Sequence, residues 1–220
     1  DFEVRGAQLR DGHIVYQRGA DIARYDIASG EDRLLPLTLA TDTASRRTRW
    51  LDKPLAWLDT ARLSADGKRV VLTARGRVAV AGAGAQRRVE PALPDGSRAR
   101  NAVASPDGRW IYAIGDAGGE HEVWRFPADG SGPGKPLTRD GTTQRFDLLP
   151  SPDGRWLAHS DFDGVLWLLD LASGANRRID RSPVRSYEGM AWSPDSRALV
   201  VVRPDTSYQR DQLVLHTVAD

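Results

Sequence analysis

The 220-residue chain contains no cysteine, one methionine (Met190) and four histidines. Without cysteine there can be neither disulfides nor thiolate metal sites, and the compartment stays open between bacterial cytoplasm and periplasm. Lysine is scarce: of 31 basic residues only Lys53, Lys68 and Lys135 are not arginine, a bias that with abundant alanine reads as the mark of a GC-rich bacterial genome. No excess of one charge exists, since 30 acidic residues leave a net charge of +1. Nothing electrostatic therefore favours nucleic acid or an anionic membrane as a partner. Long apolar runs are missing too. Val165-Leu166-Trp167-Leu168-Leu169 is typical of the longest, whereas a membrane span needs about 20 residues, so a soluble product without a span is predicted. No signal-like stretch precedes the first pattern, and a chain opening at Asp1 reads as a processed product or an excised fragment. A sustained 3.6-residue apolar period is absent, which predicts very little helix.

What the chain has instead is a repeated phrase. Ser105-Pro106-Asp107-Gly108-Arg109-Trp110 returns as Ser151-Pro152-Asp153-Gly154-Arg155-Trp156. Weaker copies are Ser64-Ala65-Asp66-Gly67-Lys68-Arg69 and Ser193-Pro194-Asp195-Ser196-Arg197, and a degenerate one opens the chain at Arg10-Asp11-Gly12-His13. A period of roughly 40–50 residues marks an array of small supersecondary units. Within each unit an Asp-Gly turn launches a short strand, because glycine accepts the positive φ that such turns require. After Gly154 the strand Trp156–Ser160, the turn at Asp161–Gly164, the strand Val165–Leu171, the turn Ala172-Ser173-Gly174 and the strand Asn176–Ile179 follow in order. Four short strands joined by tight turns make one antiparallel meander, the blade of a β-propeller. The expected fold is all-β: about five four-stranded meanders near 5–38, 57–90, 99–138, 144–180 and 186–219, forming an incomplete ring or parts of two adjoining propellers. Trp110, Trp124, Trp156, Trp167 and Trp192 fall at strand positions where blades pack face to face.

Chemistry-bearing patterns are few. His13 and His121 fall in turns and His159 and His216 in strands, with no H-E-x-x-H or cysteine pair to make a metal centre. Glu120-His121-Glu122 could raise the imidazole pKa and coordinate a metal, but its hairpin position reads as a solvated loop. Asp161-x-Asp163-Gly164 begins like a calcium loop, yet Val165 stands at the third acidic position and no distal glutamate follows. Gly130-Ser131-Gly132-Pro133-Gly134-Lys135 is one residue short of a phosphate loop, with Pro136 where Mg²⁺ would need Ser or Thr, and reads as a flexible turn. No G-x-S-x-G elbow is present. No catalytic, cofactor-binding or metal residue is therefore assigned. The basic cluster Arg46, Arg47 and Arg49 is read either as a solvated linker or as a contact for a peptide carboxylate or phosphate through bidentate guanidinium bonds.

The ordered set of phrases carries a resemblance. Asp11–Gln17, Tyr25–Gly30, Leu72–Val78, Phe126–Gly132 and the repeated S-P-D-G-R-W together resemble the propeller region of tricorn-type proteases. The S-P-D-G phrase alone is shared with TolB-like and prolyl-oligopeptidase-type propellers, and the repeat of this chain reads as WD40-like. In the tricorn type two propellers precede a PDZ-like module and a serine-peptidase domain. The resemblance implies that residues 1–40 are the last blade of a first propeller, 41–54 a linker, and 55–220 four blades of a second. It implies an oligomeric parent peptidase whose propeller channels or gates peptide substrates, with the PDZ-like and peptidase domains of the same parent chain as partners. The catalytic residues belong to a domain that no part of this chain matches. Two other readings compete: a TolB-like scaffold for protein–protein interaction with no peptidase, and a propeller cap on an α/β-hydrolase.

Overall fold

The computed structural model describes residues 4–38, 48, 50–82, 84, 87–184, 187–206 and 210–218. Their regular structure is all strand apart from a single 3₁₀ turn at Pro54–Trp57. Two compact units are present, Asp1–Leu51 and Asp52–Asp220.

The first unit is one meander of β1 (Val4–Arg10), β2 (His13–Arg18), β3 (Asp21–Asp26) and β4 (Asp32–Leu34), paired antiparallel in chain order. β1 bulges between Arg5 and Gln8, where Gly6 takes φ 62°. His13, expected in a turn, is the first residue of β2. Its Nδ1 lies 3.1 Å from Asp26 on the neighbouring strand, and the pairing register sets these two residues opposite each other.

The second unit holds four sheets. The first contains β5 (Leu58–Leu63), β6 (Arg69–Ala74) and β7 (Arg77–Gly82), with a fourth strand reduced to one bridge between Val80 and Val89. The second contains β8 (Ala99–Ala104), β9 (Trp110–Gly115), β10 (Glu122–Pro127) and β11 (Lys135–Pro136). The third contains β12 (Arg145–Pro150), β13 (Trp156–Asp161), β14 (Val165–Asp170) and β15 (Asn176–Arg181), and the fourth β16 (Gly189–Trp192), β17 (Ala198–Pro204) and β18 (Asp211–Thr217). Among the described residues every strand pair is antiparallel and sequential, so the five meanders of the sequence reading are present, three with four strands and two with three.

The repeated phrase is a self-contained hydrogen-bonded turn. The Ser105 hydroxyl donates to Asp107 Oδ1 (2.5 Å), which also accepts the Arg109 N–H (3.0 Å). Ser105 Oγ in turn accepts the Trp110 N–H at 3.0 Å. The same three bonds recur around Ser64, Ser151 and Ser193. Donation from the Ser105 hydroxyl, then from the Arg109 amide, holds the Asp107 carboxyl down at about 2. Ser196, standing where the other copies have glycine, sits at φ 62°. Its hydroxyl leaves the turn and accepts the Asp153 N–H of the preceding sheet at 3.0 Å.

Because side chains alternate along a strand, each inner sheet offers two apolar faces. Ile111, Ala113 and Phe126 pack with Val71, Val78 and Val80 of the first sheet. From the opposite face Tyr112, Ile114 and Val123 meet Leu148, Leu157 and Leu169 of the third. Beyond them, Trp156, Ala158, Leu166 and Leu168 meet Leu199, Val201 and Val218 of the fourth. Trp124, Trp110 and Trp192 pack against these three clusters in turn and Trp156 lies within the last, as the strand positions implied. Trp167 differs: it stacks on His159 at 6.3 Å between ring centres and donates its indole N–H to Asp161.

Leu157→Ala, at a fully buried position, should cost about 3 kcal/mol of unfolding free energy. Leu63→Ala, 67% exposed, should stay within about 0.5 kcal/mol. Urea denaturation of the two variants checks both values.

Candidate functional site

The first strands of successive sheets, β5, β8 and β12, adjoin one another. Each carries one extra residue: between Leu58 and Thr60, between Arg100 and Val103, and between Phe146 and Leu149. In β8 and β12 the extra residue pushes Asn101 (φ 52°) and Asp147 (φ 47°) into the left-handed region. Asn and Asp tolerate that region better than other side-chain-bearing residues, and bulges serve to re-aim a side chain. The amide freed by the β8 bulge is not lost, because Ala102 N–H donates at 3.2 Å to the buried Thr73 hydroxyl of the first sheet. Burial pushes the Asp147 carboxyl up, and the Arg62 charge on β5 works against that rise.

A cleft of about 460 Å³ opens beside the β8 bulge, lined by Asp59, Arg98, Arg100, Asn101, Asp116 and His121 among others. Asp116 accepts the Arg98 backbone N–H at 2.7 Å, which fixes one wall. Arg100 donates to His121 Nδ1 at 3.0 Å, so that nitrogen is the acceptor of a neutral ring. Burial, then the Arg100 charge, holds the His121 pKa below its ordinary value. With the Gln144 carbonyl oxygen turned toward Arg100, it accepts both terminal N–H groups at 2.8 and 3.0 Å. Arg100 also lies 5.9 Å over the Phe146 ring. The cleft therefore presents a guanidinium held in place by His121 and Gln144, flanked by the carboxylates of Asp59 and Asp116. It holds no nucleophile–base pair: among the described residues no histidine hydrogen-bonds a hydroxyl, and no cluster of three metal-ligating side chains occurs.

Arg46, Arg47 and Arg49 lie outside the described residues. The reading of Glu120-His121-Glu122 as a solvated loop needs correction. Glu122 opens β10 and is 7% exposed. Its Oε1 accepts the Gly141 N–H at 2.7 Å, and its Oε2 accepts the Thr138 hydroxyl and lies 3.4 Å from Arg145. Arg145, 2% exposed, also donates to Asp140 (2.6 Å) and to the His121 carbonyl (2.8 Å). Asp140 accepts from Asn176, whose carbonyl oxygen meets His159 Nε2 at 3.1 Å. A buried ion-pair network thus ties the second sheet to the third. Asp161 belongs to the same seam and holds its own turn by accepting the Val165 N–H at 2.9 Å. The turn at 130–135 is not free either, because a Cβ at Gly134 would strike the Phe126 ring.

The side chains of this region that sequence reading missed are Asn101, Asp147, Arg100 and Arg145. One signal was available for the first two, which precede Gly108 and Gly154 by the same offset. Nothing local marks the arginines, whose partners come from other blades.

His159 is fully buried, and desolvation, then the Arg145 charge, lowers its pKa to about 3. The unfolded chain takes up that proton near pH 6.5, while the folded chain refuses it until about 3. Stability should fall as pH drops through this window. His159→Phe should flatten the dependence between pH 7 and 5, measured by urea midpoints.

No protein-family model matches this chain. It is similar to Tricorn protease homolog 1 of Streptomyces coelicolor, 32% identical over 114 residues, which is 50% of this chain and 11% of that protein. It is also similar to a Sulfurisphaera tokodaii protein described as a Tricorn-like protease C-terminal subunit, 27% identical over 217 residues, covering 98% of this chain and 24% of that one. The chain thus spans a quarter or less of these curated relatives. Among solved structures the tricorn protease superposes with a TM-score of 0.65 at 14% identity, over 98% of this chain and 20% of its own. TolB from Acinetobacter baumannii gives 0.58 at 18% identity, over 98% and 52%. At these identities the structures establish the propeller fold, while the sequence relatives give the chain its likeness to a tricorn-like propeller region.

Proposed function

We propose that this chain is the non-catalytic propeller portion of a tricorn-like serine peptidase, acting as a channel or gate for the peptides that a separate domain cleaves. The observation that carries the reading is the similarity to a tricorn-like protease subunit along 98% of the chain. The geometry suits the task. Sheets stacked face to face set their first strands side by side, and the bulges at Asn101 and Asp147 turn polar groups out of those strands. A row of such groups offers transient hydrogen bonds to an extended peptide without holding it tightly. In this reading residues 1–40 are the last blade of a first propeller, 41–54 a linker and 55–220 four blades of a second. The PDZ-like module, the peptidase domain and the homo-oligomer belong to the parent. Arg46, Arg47 and Arg49, on the linker, contact the peptide carboxylate or another anion.

The second reading is a TolB-like scaffold for protein–protein interaction, favoured by the superposition of TolB over 98% of the chain. Hydrolysis of short fluorogenic peptides by the full-length parent separates the two. A parent inhibited by a serine-directed reagent, beside an inert 220-residue chain, is the expected outcome. An inert parent overturns the peptidase reading and leaves the scaffold.

A further inference from the structure

Away from the first strands, the second and third sheets leave a groove of about 640 Å³ between the turns at 105–110 and 152–155, a volume in the range of small-ligand sites. The strand register builds it. β9 and β10 set Tyr112 opposite Arg125 and Trp110 opposite Pro127, so Trp110, Tyr112 and Arg125 share the face turned toward the third sheet. Pro152 and Leu171 line the far side.

The polar groups of this groove are unevenly matched. Its carboxylates are occupied: Asp107 accepts from Ser105, from the Arg109 N–H and from Arg109 Nε at 2.7 Å, and Asp153 accepts from Ser151 and the Arg155 N–H. The donors are not. The Arg125 guanidinium lies 4.4 Å over the Trp110 ring, and no carboxylate among the described residues pairs with it. Tyr112 is 3% exposed and its hydroxyl has no hydrogen-bond partner among the described residues. The ring is buried while the residue lines the groove, so the hydroxyl stands at the groove wall beside the Arg125 guanidinium, ready to donate to an occupant. Contact of the guanidinium carbon with the Trp110 ring uses none of its N–H groups as hydrogen-bond donors to a carboxylate, so they remain to meet a bidentate acceptor.

We propose that this groove binds a carboxylate carried on a short peptide, held by the Arg125 edge and the Tyr112 hydroxyl, with the adjoining aliphatic carbons on Trp110 and Leu171. The assignment goes beyond the channel reading. It rests on the groove's own geometry and holds whether or not the parent cleaves peptides. The carboxylate can be a chain terminus or an acidic side chain.

Fluorescence anisotropy of the 220-residue chain with three labelled pentapeptides tests it: one neutral with a free C-terminus, one amidated with a central glutamate, and one amidated and neutral. At least one carboxylate peptide should bind saturably, and the neutral amide at least about tenfold more weakly. Binding of the free terminus alone identifies a chain end, and binding of the glutamate peptide alone an acidic side chain. Arg125→Gln should weaken binding about tenfold. Tyr112→Phe, which keeps the buried ring, should weaken it several-fold with an unchanged urea midpoint, and serves should Arg125→Gln fail to fold. Arg109→Gln, already paired within its own turn, should bind as the parent chain does. Equal affinity for all three peptides, no saturable binding, or full affinity in both groove variants would overturn the proposal.

Discussion

Where the described regular structure is nearly all strand, a sheet with two apolar faces is covered by other sheets, and the second unit of this protein is organised around that constraint. β9 and β13 are buried along nearly their whole length because Ile111 and Ala113 point one way and Tyr112 and Ile114 the other, and because Leu157 alternates with Trp156 and Ala158 in the same manner. Neither strand could survive in an isolated hairpin. Face-to-face stacking follows, and with it the alignment of first strands on one side. Those strands have a sheet neighbour on one edge only, so an extra residue in β5, β8 or β12 disturbs a single ladder. Function has room there for a thermodynamic reason: the irregular backbone sits where it is least expensive.

Apolar faces alone would let neighbouring sheets slide or exchange. Each seam also contains a directional contact that is satisfied in one arrangement. Thr73 receives the Ala102 amide between the first and second sheets, and Arg145 meets Glu122 between the second and third. Trp192 reaches the Leu149 carbonyl, and Arg203 reaches Asp180 at 3.0 Å, between the third and fourth. A buried polar group left unmatched costs more than a matched one gains, so these contacts penalise wrong pairings more than they stabilise the right one.

The sequence made the blades legible because their determinants are local. Ser105, Asp107, Gly108 and Trp110 lie within six residues and close their own hydrogen bonds, so the phrase is the structure. The tryptophans could be placed for the same reason, by their distance from a turn. Glu122, Arg145, His159 and Asn176 could not be joined in advance, since they come from separate strands and meet only after two sheets have packed. Glu122 looked like a loop residue because its neighbours Glu120 and His121 are polar, while its burial depends on Arg145, which lies in the next sheet. Ser196 shows the opposite limit. Its place in the turn could be read directly, but not the bond its hydroxyl makes to the preceding blade.

The closed Ser–Asp turn has a consequence for how such an array can change over generations. A turn that satisfies itself asks nothing of its neighbours, so a whole blade can be duplicated, lost or transplanted without orphaning a polar group at its ends. The seam contacts behave differently, since each is addressed to one particular adjoining blade. Ser196 lies between these cases: one side-chain oxygen has turned an interchangeable part into a keyed one, and the blade that carries it can no longer be shuffled without loss.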